Sequence, residues 1–272
     1  MVKHLKRVRK AGMLVSAAMV FSWLAGCSAQ NSNEAHQHNE GWISLFDGES
    51  LAGWTPKFKG QPLGENYLDT FGVRDGVLTV SYDHYGDFGG EFGHLFYAQP
   101  YSHYIVRAEY RFVGEQVAQA PAWARANNGL MLHSQAPETM ALEQDFPTSI
   151  EVQLLGAAEG ETRSTGNLCT PGTHVMMDGQ LRTEHCINSA SASYEGDQWV
   201  VAEVEVHGAD LMIHRINGEE VMRYGPLVYE EQVAESLGIA SQPALIGSGY
   251  IAIQAESAPT EFRRIELKVL EP

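Results

Sequence analysis

Six polar residues in this chain combine side-chain types able to do chemistry with positions on the polar faces of strand-like runs: Glu109, His133, Glu151, Gln153, Gln254 and Glu256. Carboxylates and imidazole move protons, while amides and guanidinium hold hydroxyls and developing oxyanions. Glu151 with Gln153, and Gln254 with Glu256, are two residues apart, the spacing that puts both side chains on one face of a strand. Such a set of carboxylates, amides and rings suits a ligand rich in hydroxyl groups.

The elements that must position them read as strands. β-rich runs recur between turn signals at 71–82, 104–113, 129–134, 149–155, 199–207, 211–216, 249–255 and 262–270. Asp75-Gly76 and Asn217-Gly218 mark hairpins. Helical periodicity is scarce, and 137–145 and 229–237 are expected as short helices on connections. The expected fold is all-β, a two-sheet antiparallel jelly-roll sandwich.

Alternation then assigns faces. Tyr104, Val106, Ala108, Tyr110 and Phe112 oppose Ile105, Arg107, Glu109 and Arg111. Ile150, Val152 and Leu154 oppose Glu151, Gln153 and Leu155, and Ile251, Ile253 and Ala255 oppose Tyr250, Gln254 and Glu256. In 129–133, Met131 and His133 lie opposite Leu130 and Leu132. If these strands share a sheet, their polar faces form one binding surface. The alternative is a solvated outer face laced by cross-strand ion pairs such as Arg107, Glu109 and Arg111.

The chain has 272 residues with 34 acidic and 18 basic side chains, a net charge of −16. A shortage of clustered Lys and Arg excludes nucleic acid as a natural partner. Five of the 18 basic residues fall within the first ten positions, before an uncharged apolar run at 11–25, so 1–26 reads as an export signal. It ends in Leu24-Ala25-Gly26-Cys27, which resembles a bacterial lipobox with Cys27 as the lipidated residue. The next residue, Ser28, favours the outer membrane, so the expected location is the cell envelope, with the lipid anchor as the only membrane contact. The segment 27–40 is polar and reads as a tether, His36 and His38 included; 41–272 is expected as a single β-sandwich catalytic domain. Without 1–26 the chain keeps 13 basic and 34 acidic residues, a charge of −21.

Cys169 and Cys186 remain, and in an exported protein they read as a disulfide. Met177-Asp178-Gly179-Gln180 forms a two-residue hairpin turn between them, a register that places Cys186 opposite Pro171 and needs a slight bulge to bring the sulfurs together. A metal site from Cys169, His174, His185 and Cys186 is the competing reading, although the spacings match no common zinc pattern.

Four stretches carry a family resemblance. Gly41-Trp42-Ile43-Ser44-Leu45-Phe46-Asp47-Gly48 with Leu51-Ala52-Gly53-Trp54 is similar to the opening of the 3-keto-disaccharide hydrolase family, and Phe71-Gly72-Val73-Arg74-Asp75-Gly76-Val77-Leu78 to its next strand pair. Asn128-Gly129-Leu130-Met131-Leu132-His133 followed by Ile150-Glu151-Val152-Gln153 resembles its central segment. Gly249-Tyr250-Ile251-Ala252-Ile253-Gln254-Ala255-Glu256 and Glu261-Phe262-Arg263-Arg264-Ile265 resemble its close.

The resemblance implies a concanavalin-like jelly roll and exported enzymes acting on sugars oxidised at C3. A C3 ketone acidifies the C2 proton, so a base can remove it, the enediolate expels the aglycone from C1, and water adds to the product, for net hydrolysis. On that footing Glu151 and His133 are the candidates for proton transfer, and Gln153, Asn128 and Arg263 position hydroxyls or the enolate oxygen. Glu109, Gln254 and Glu256 follow. Asn128 is out of phase with His133 and contributes only if its strand begins with a bulge or loop. No cofactor is required by this reading, though a divalent cation held by Glu109, Glu151, His133 and Glu256 is an option.

Two rivals remain. A direct glycosidase on a jelly roll carries Glu-x-Asp-x-Glu on one strand, and here Glu151, Gln153 and Leu155 lack the second carboxylate. A non-catalytic carbohydrate-binding surface lipoprotein would use exposed rings, for which Trp42, Trp54 and Trp123 are the candidates. Phosphate-binding glycine loops, Gly-x-Ser-x-Gly and His-Glu-x-x-His are absent from the sequence.

Overall fold

A computed structural model describes residues 41–272. The expected export signal at 1–26, lipidation at Cys27 and the tether at 27–40 lie outside the described residues.

Strict period-two alternation decides the layering. His103–Phe112 buries Tyr104, Val106, Ala108 and Tyr110, and Val200–His207 buries Val200, Ala202, Val204 and Val206. These faces meet Leu130, Leu132, Ile150, Val152, Leu154, Ile251 and Ile253 from the opposite sheet in one core. Burying each valine, leucine or isoleucine of this core contributes about 1.5–3 kcal/mol, which is why the two apolar faces close on each other.

One sheet has eight strands. Along its length run Glu219–Tyr224, Leu211–Ile216, Val200–His207, His103–Phe112, Thr260–Val269, Val77–Val80 and Phe71–Arg74, and Trp42–Ser44 pairs beside Thr260–Val269. The other sheet has seven strands in the order Cys186–Ile187, Asn167–Cys169, Ile150–Leu155, Asn127–Ser134, Tyr250–Ala255, Gly93–Tyr97 and Trp54–Phe58. Pairing within both is antiparallel, giving the expected sandwich. The hairpins at Asp75-Gly76 and Asn217-Gly218 stand where read.

Three features depart from the sequence reading. A further small sheet, Gln180–Arg182, Thr173–Met177 and Leu227–Tyr229, holds the Met177 to Gln180 turn. Residues 137–145 form only a 3-10 turn at Pro137–Thr139, whereas 229–237 does contain a helix, Glu231–Ser236. Cys169 and Cys186 are disulfide-bonded, which removes the metal reading, and they pair directly across two strands of the seven-stranded sheet. No bulge is needed, because the chain leaves that sheet at Cys169, makes its hairpin in the small sheet and returns at Cys186.

Candidate active site

The polar face of the seven-stranded sheet is not solvated. Its central strand, Asn127–Ser134, is buried at every position, one face against the core and the other beneath connecting segments. Across this covered face the ladder sets Lys57 opposite His94, His94 opposite Gln254, and Gly129 opposite Gln153, with Glu151 opposite both Met131 and Cys169. Lys57, His94, Asn127, Glu151, Gln254 and Glu256 are all buried. Buried polar groups of this density are costly unless partnered, yet both ring nitrogens of His94, both amide atoms of Gln254, Asn127 Oδ1 and Glu256 Oε2 have no hydrogen-bond partner.

Gly129 is the saddle of this surface. A β-carbon there would stand 2.8 Å from Glu151 Oε1 and 3.2 Å from Gln254 Oε1, so both side chains lean over the glycine from the strands on either side. Beside them, Asn127, Glu151, Gln153 and Glu256 line a cavity of about 370 Å³. Its walls are Trp123, Phe146, Pro171, His185 and the disulfide. Trp123 is 56% exposed and stacks on Phe92 with planes 12° apart. Its loop is pinned by Arg163, whose guanidinium donates to the carbonyls of Arg125 (2.6 Å) and Gly156 (2.7 Å).

Burial governs the charges. It pushes the Glu151 carboxyl up to about 8, and raises Glu256 well above the usual carboxylate range with the Glu151 charge adding to the effect. Two carboxyls buried in one cavity resist losing both protons, so near neutrality the pair holds at least one. His94 is driven down to about 3, by burial first and the Lys57 charge second, and stays neutral.

The expected site residues divide between places. Glu151, Gln153, Gln254 and Glu256 do share one face, and Glu256 joins Glu151 more closely than its sequence rank implied. His133 does not. Leu132 and His133 together oppose the single Ile251, a bulge, and His133 takes φ +47°. The extra residue inverts the phase, turning the imidazole into the core, where it meets the Tyr104 ring at 5.9 Å and pairs with the Gly208 carbonyl through Nε2 at 3.0 Å. Asn128 also points inward, its Nδ2 donating to the Gln254 carbonyl at 2.7 Å and to Thr260 Oγ1 at 3.3 Å. It ties the sheets together, and Asn127, one residue earlier, is the side chain that reaches the cavity.

Glu109 and Arg263 belong to the other sheet. They pair with each other on its outer face, where Arg107 bonds Glu203, Arg111 bonds Glu261, and Arg111 and Arg263 cover Trp199. The single polar surface expected from alternation is therefore two: an ion-pair lattice on one sheet and a buried trough on the other. Glu109, Glu151, His133 and Glu256 do not converge as a cation site, and among the described residues no three His, Cys, Asp or Glu side chains gather as metal ligands. Trp42 lies under Arg107 and Trp54 is buried, its Nε1 donating to the Leu45 carbonyl, so Trp123 alone of the three candidates is an exposed ring. His94, which in Phe92-Gly93-His94-Leu95 reads from the sequence as able to line a site, lies on this face opposite Gln254, whereas Asn127 and Gly129 escaped the sequence reading as site residues; the phase of Gln254 and Glu151, extended across the ladder, is the signal that points to them.

The 3-keto-alpha-glucoside-1,2-lyase-like domain matches residues 41–268. The chain belongs to this family. Membership spans the whole sandwich and makes the protein a carbohydrate-active member of the 3-keto-alpha-glucoside-1,2-lyase-like group. Among solved structures, a candidate glycosyl hydrolase from Parabacteroides distasonis is similar at a TM-score of 0.51 and 19% identity, covering 85% of this chain and 95% of its own. A second from the same organism has a TM-score of 0.51 and 14% identity, covering 84% and 99%. Both share the fold. No curated protein sequence matches the chain significantly.

Proposed function

We propose that this 3-keto-alpha-glucoside-1,2-lyase-like protein cleaves 3-keto-glycosides by elimination across C1 and C2. The observation that carries the reading is that Glu151 and Glu256 line one cavity, where burial raises both carboxyls above the ordinary carboxylate range. When the pair has lost one proton, it contains one base and one acid.

As carboxylate, Glu151 takes the C2 proton. The C–H electrons form the C2–C3 double bond and the carbonyl pair moves onto the C3 oxygen. Collapse of this enolate restores the ketone, forms the C1–C2 double bond and breaks the bond from C1 to the leaving oxygen, which takes its proton from Glu256. Proton exchange between the two carboxyls resets the pair. Addition of water to the unsaturated ketone would complete a net hydrolysis. Gln153 and Asn127 are placed to hold hydroxyls.

The direct test incubates the protein with a 3-keto-disaccharide and with its unoxidised parent, with and without chelator. Release of the aglycone from the oxidised substrate alone supports the reading; equal release from both overturns it. Loss of release with chelator would add a metal to the scheme.

A second reading, capture of glycans without turnover, draws on the exposed Trp123 at the cavity mouth. It requires tight binding of the intact glycoside, weakened by Trp123→Ala, with no product formed. The envelope location and the anchor at Cys27 belong to the same proposal, supported by the basic start, the apolar run and the residues before Cys27; loss of membrane association in Cys27→Ser checks them.

A further inference from the structure

Next to the cavity lies a stretch of polar surface that the two carboxyls do not use. His94 and Gln254 sit opposite each other on adjacent strands, each 0% exposed, and none of their four side-chain nitrogen and oxygen atoms has a hydrogen-bond partner. Leaving such atoms unpaired costs about 1–3 kcal/mol each, so an apolar pair would serve the fold better. Gln254 Oε1 and Glu151 Oε1 flank the same bare point above Gly129, so the pair continues directly from the base. What separates it from the cavity is Phe146, which lines the cavity and also meets the His94 ring edge-on at 6.0 Å. Phe146 is half-buried, whereas its backbone is held through Gln144 Nε2, which donates to the Phe146 carbonyl at 2.8 Å.

We infer that His94 and Gln254 form the carbonyl-binding end of the site, donating hydrogen bonds to a sugar ketone that reaches them when the Phe146 ring swings aside. This rests on the reading of Glu151 as the base, because it places the ketone one carbon from the proton that Glu151 removes. A neutral imidazole is the suitable donor there, since it stabilises an enolate oxygen without giving it a proton, and His94 is held neutral by its burial. The Gln254 amide supplies the second donor and bridges toward Glu151. The inference makes ketone recognition a property of these two residues, separate from the carboxyls that break the bond.

The experiment uses the full chain, with methyl 3-keto-α-glucoside as probe and methyl α-glucoside as control. In His94→Phe the affinity for the keto probe should fall about ten-fold or more toward that of the control, the size of one to two buried hydrogen bonds. The thermal midpoint should hold or rise, because an unpaired polar ring has been replaced by an apolar one. Gln254→Leu should do the same. Acylation of His94 by diethyl pyrocarbonate, read by mass spectrometry, should be slow in the wild type, faster in Phe146→Ala, and suppressed in that variant by the keto probe but not by the control. Unchanged keto preference in His94→Phe, or no protection of His94 by the probe, overturns the inference. Failure of the wild type to turn over 3-keto-glycosides, with keto-selective binding lost in His94→Phe, would instead reject the elimination and leave this binding end standing.

Discussion

Gly129 lies directly under the carboxyl of Glu151, so close that a β-carbon would stand 2.8 Å from Oε1 and 3.0 Å from Cγ. No other residue at that position lets the carboxyl cross the central strand toward Gln254. Gly129→Ala should therefore leave the backbone intact and displace Glu151 by a fraction of an ångström or more. The expected result is a loss of turnover of about a hundred-fold with a nearly unchanged thermal midpoint, since sub-ångström to ångström misplacement of a reacting group has effects of that size. Steady-state kinetics beside a melting curve will show whether the two separate.

Titration of Glu151 should set the acid limb of activity and the alkaline decline of stability. A base must be ionised, so turnover should climb as pH rises toward about 8, where the Glu151 carboxyl loses its proton. Stability runs the other way. The folded state holds this proton from pH 4.5, the usual glutamate value, up to about 8, so stability falls as pH rises through that window. Glu151→Gln should abolish turnover and raise the melting temperature at pH 8 relative to wild type. A variant that is active, or that melts lower at pH 8, would remove Glu151 from this role.

The histidines act at the acid end. His94, His133 and His214 are buried and held neutral, pushed from 6.5 to about 3, 4 and 4. An unfolded chain would take up those protons below pH 6.5, so stability should drop as pH falls from there toward 4, with the glutamate pair opposing the drop only above about 4.5. Denaturant midpoints across this range should peak near pH 6 to 7 on that account.

His133→Asn tests the corrected role of a residue first read as catalytic. Asparagine tolerates the positive φ of the bulge but loses the ring contact with Tyr104. Stability should fall by about 1–3 kcal/mol while turnover per folded molecule persists. A selective loss of turnover with unchanged stability would return His133 to the mechanism.

Reduction of the Cys169 to Cys186 bond should weaken both fold and site. The bridged residues are 17 apart, for which the chain-entropy account gives about 3 kcal/mol. Because the bond walls the cavity beside Glu151, Cys186→Ser should also raise KM more than it lowers kcat. Equal KM in the oxidised and mutant proteins would show that the wall does not touch substrate.

The faces were legible in the sequence, because alternation is strict wherever one side of a strand meets a core. Glu151, Gln153, Gln254 and Glu256 were placed correctly by that rule alone. Which sheet each strand joins is a matter of long-range pairing, and nothing local to Glu109 or Arg263 reports it. The bulge at Leu132 and His133 was equally silent, since one inserted residue inverts every phase beyond it without altering composition. The roofing of the polar trough by Phe146 and the Trp123 loop is made by segments with no periodicity to read. Gly129 stands in the sequence as one residue of a motif, and its role follows only from the neighbours that lean across it.

The strand that closes the site sheet on one side, Cys186–Ile187, is two residues long and covalently tied to its neighbour. The strand on the other side, Trp54–Phe58, carries Pro56, whose carbonyl accepts from Gly64 N–H at 2.9 Å. Open sheet edges invite a second chain to add its own strand, and short, proline-bearing or covered edges discourage it. The sheet that holds the proposed reacting groups thus has short, covalently tied or proline-bearing rims, which discourage edge-to-edge pairing, so molecules crowded together can keep their cavities unobstructed.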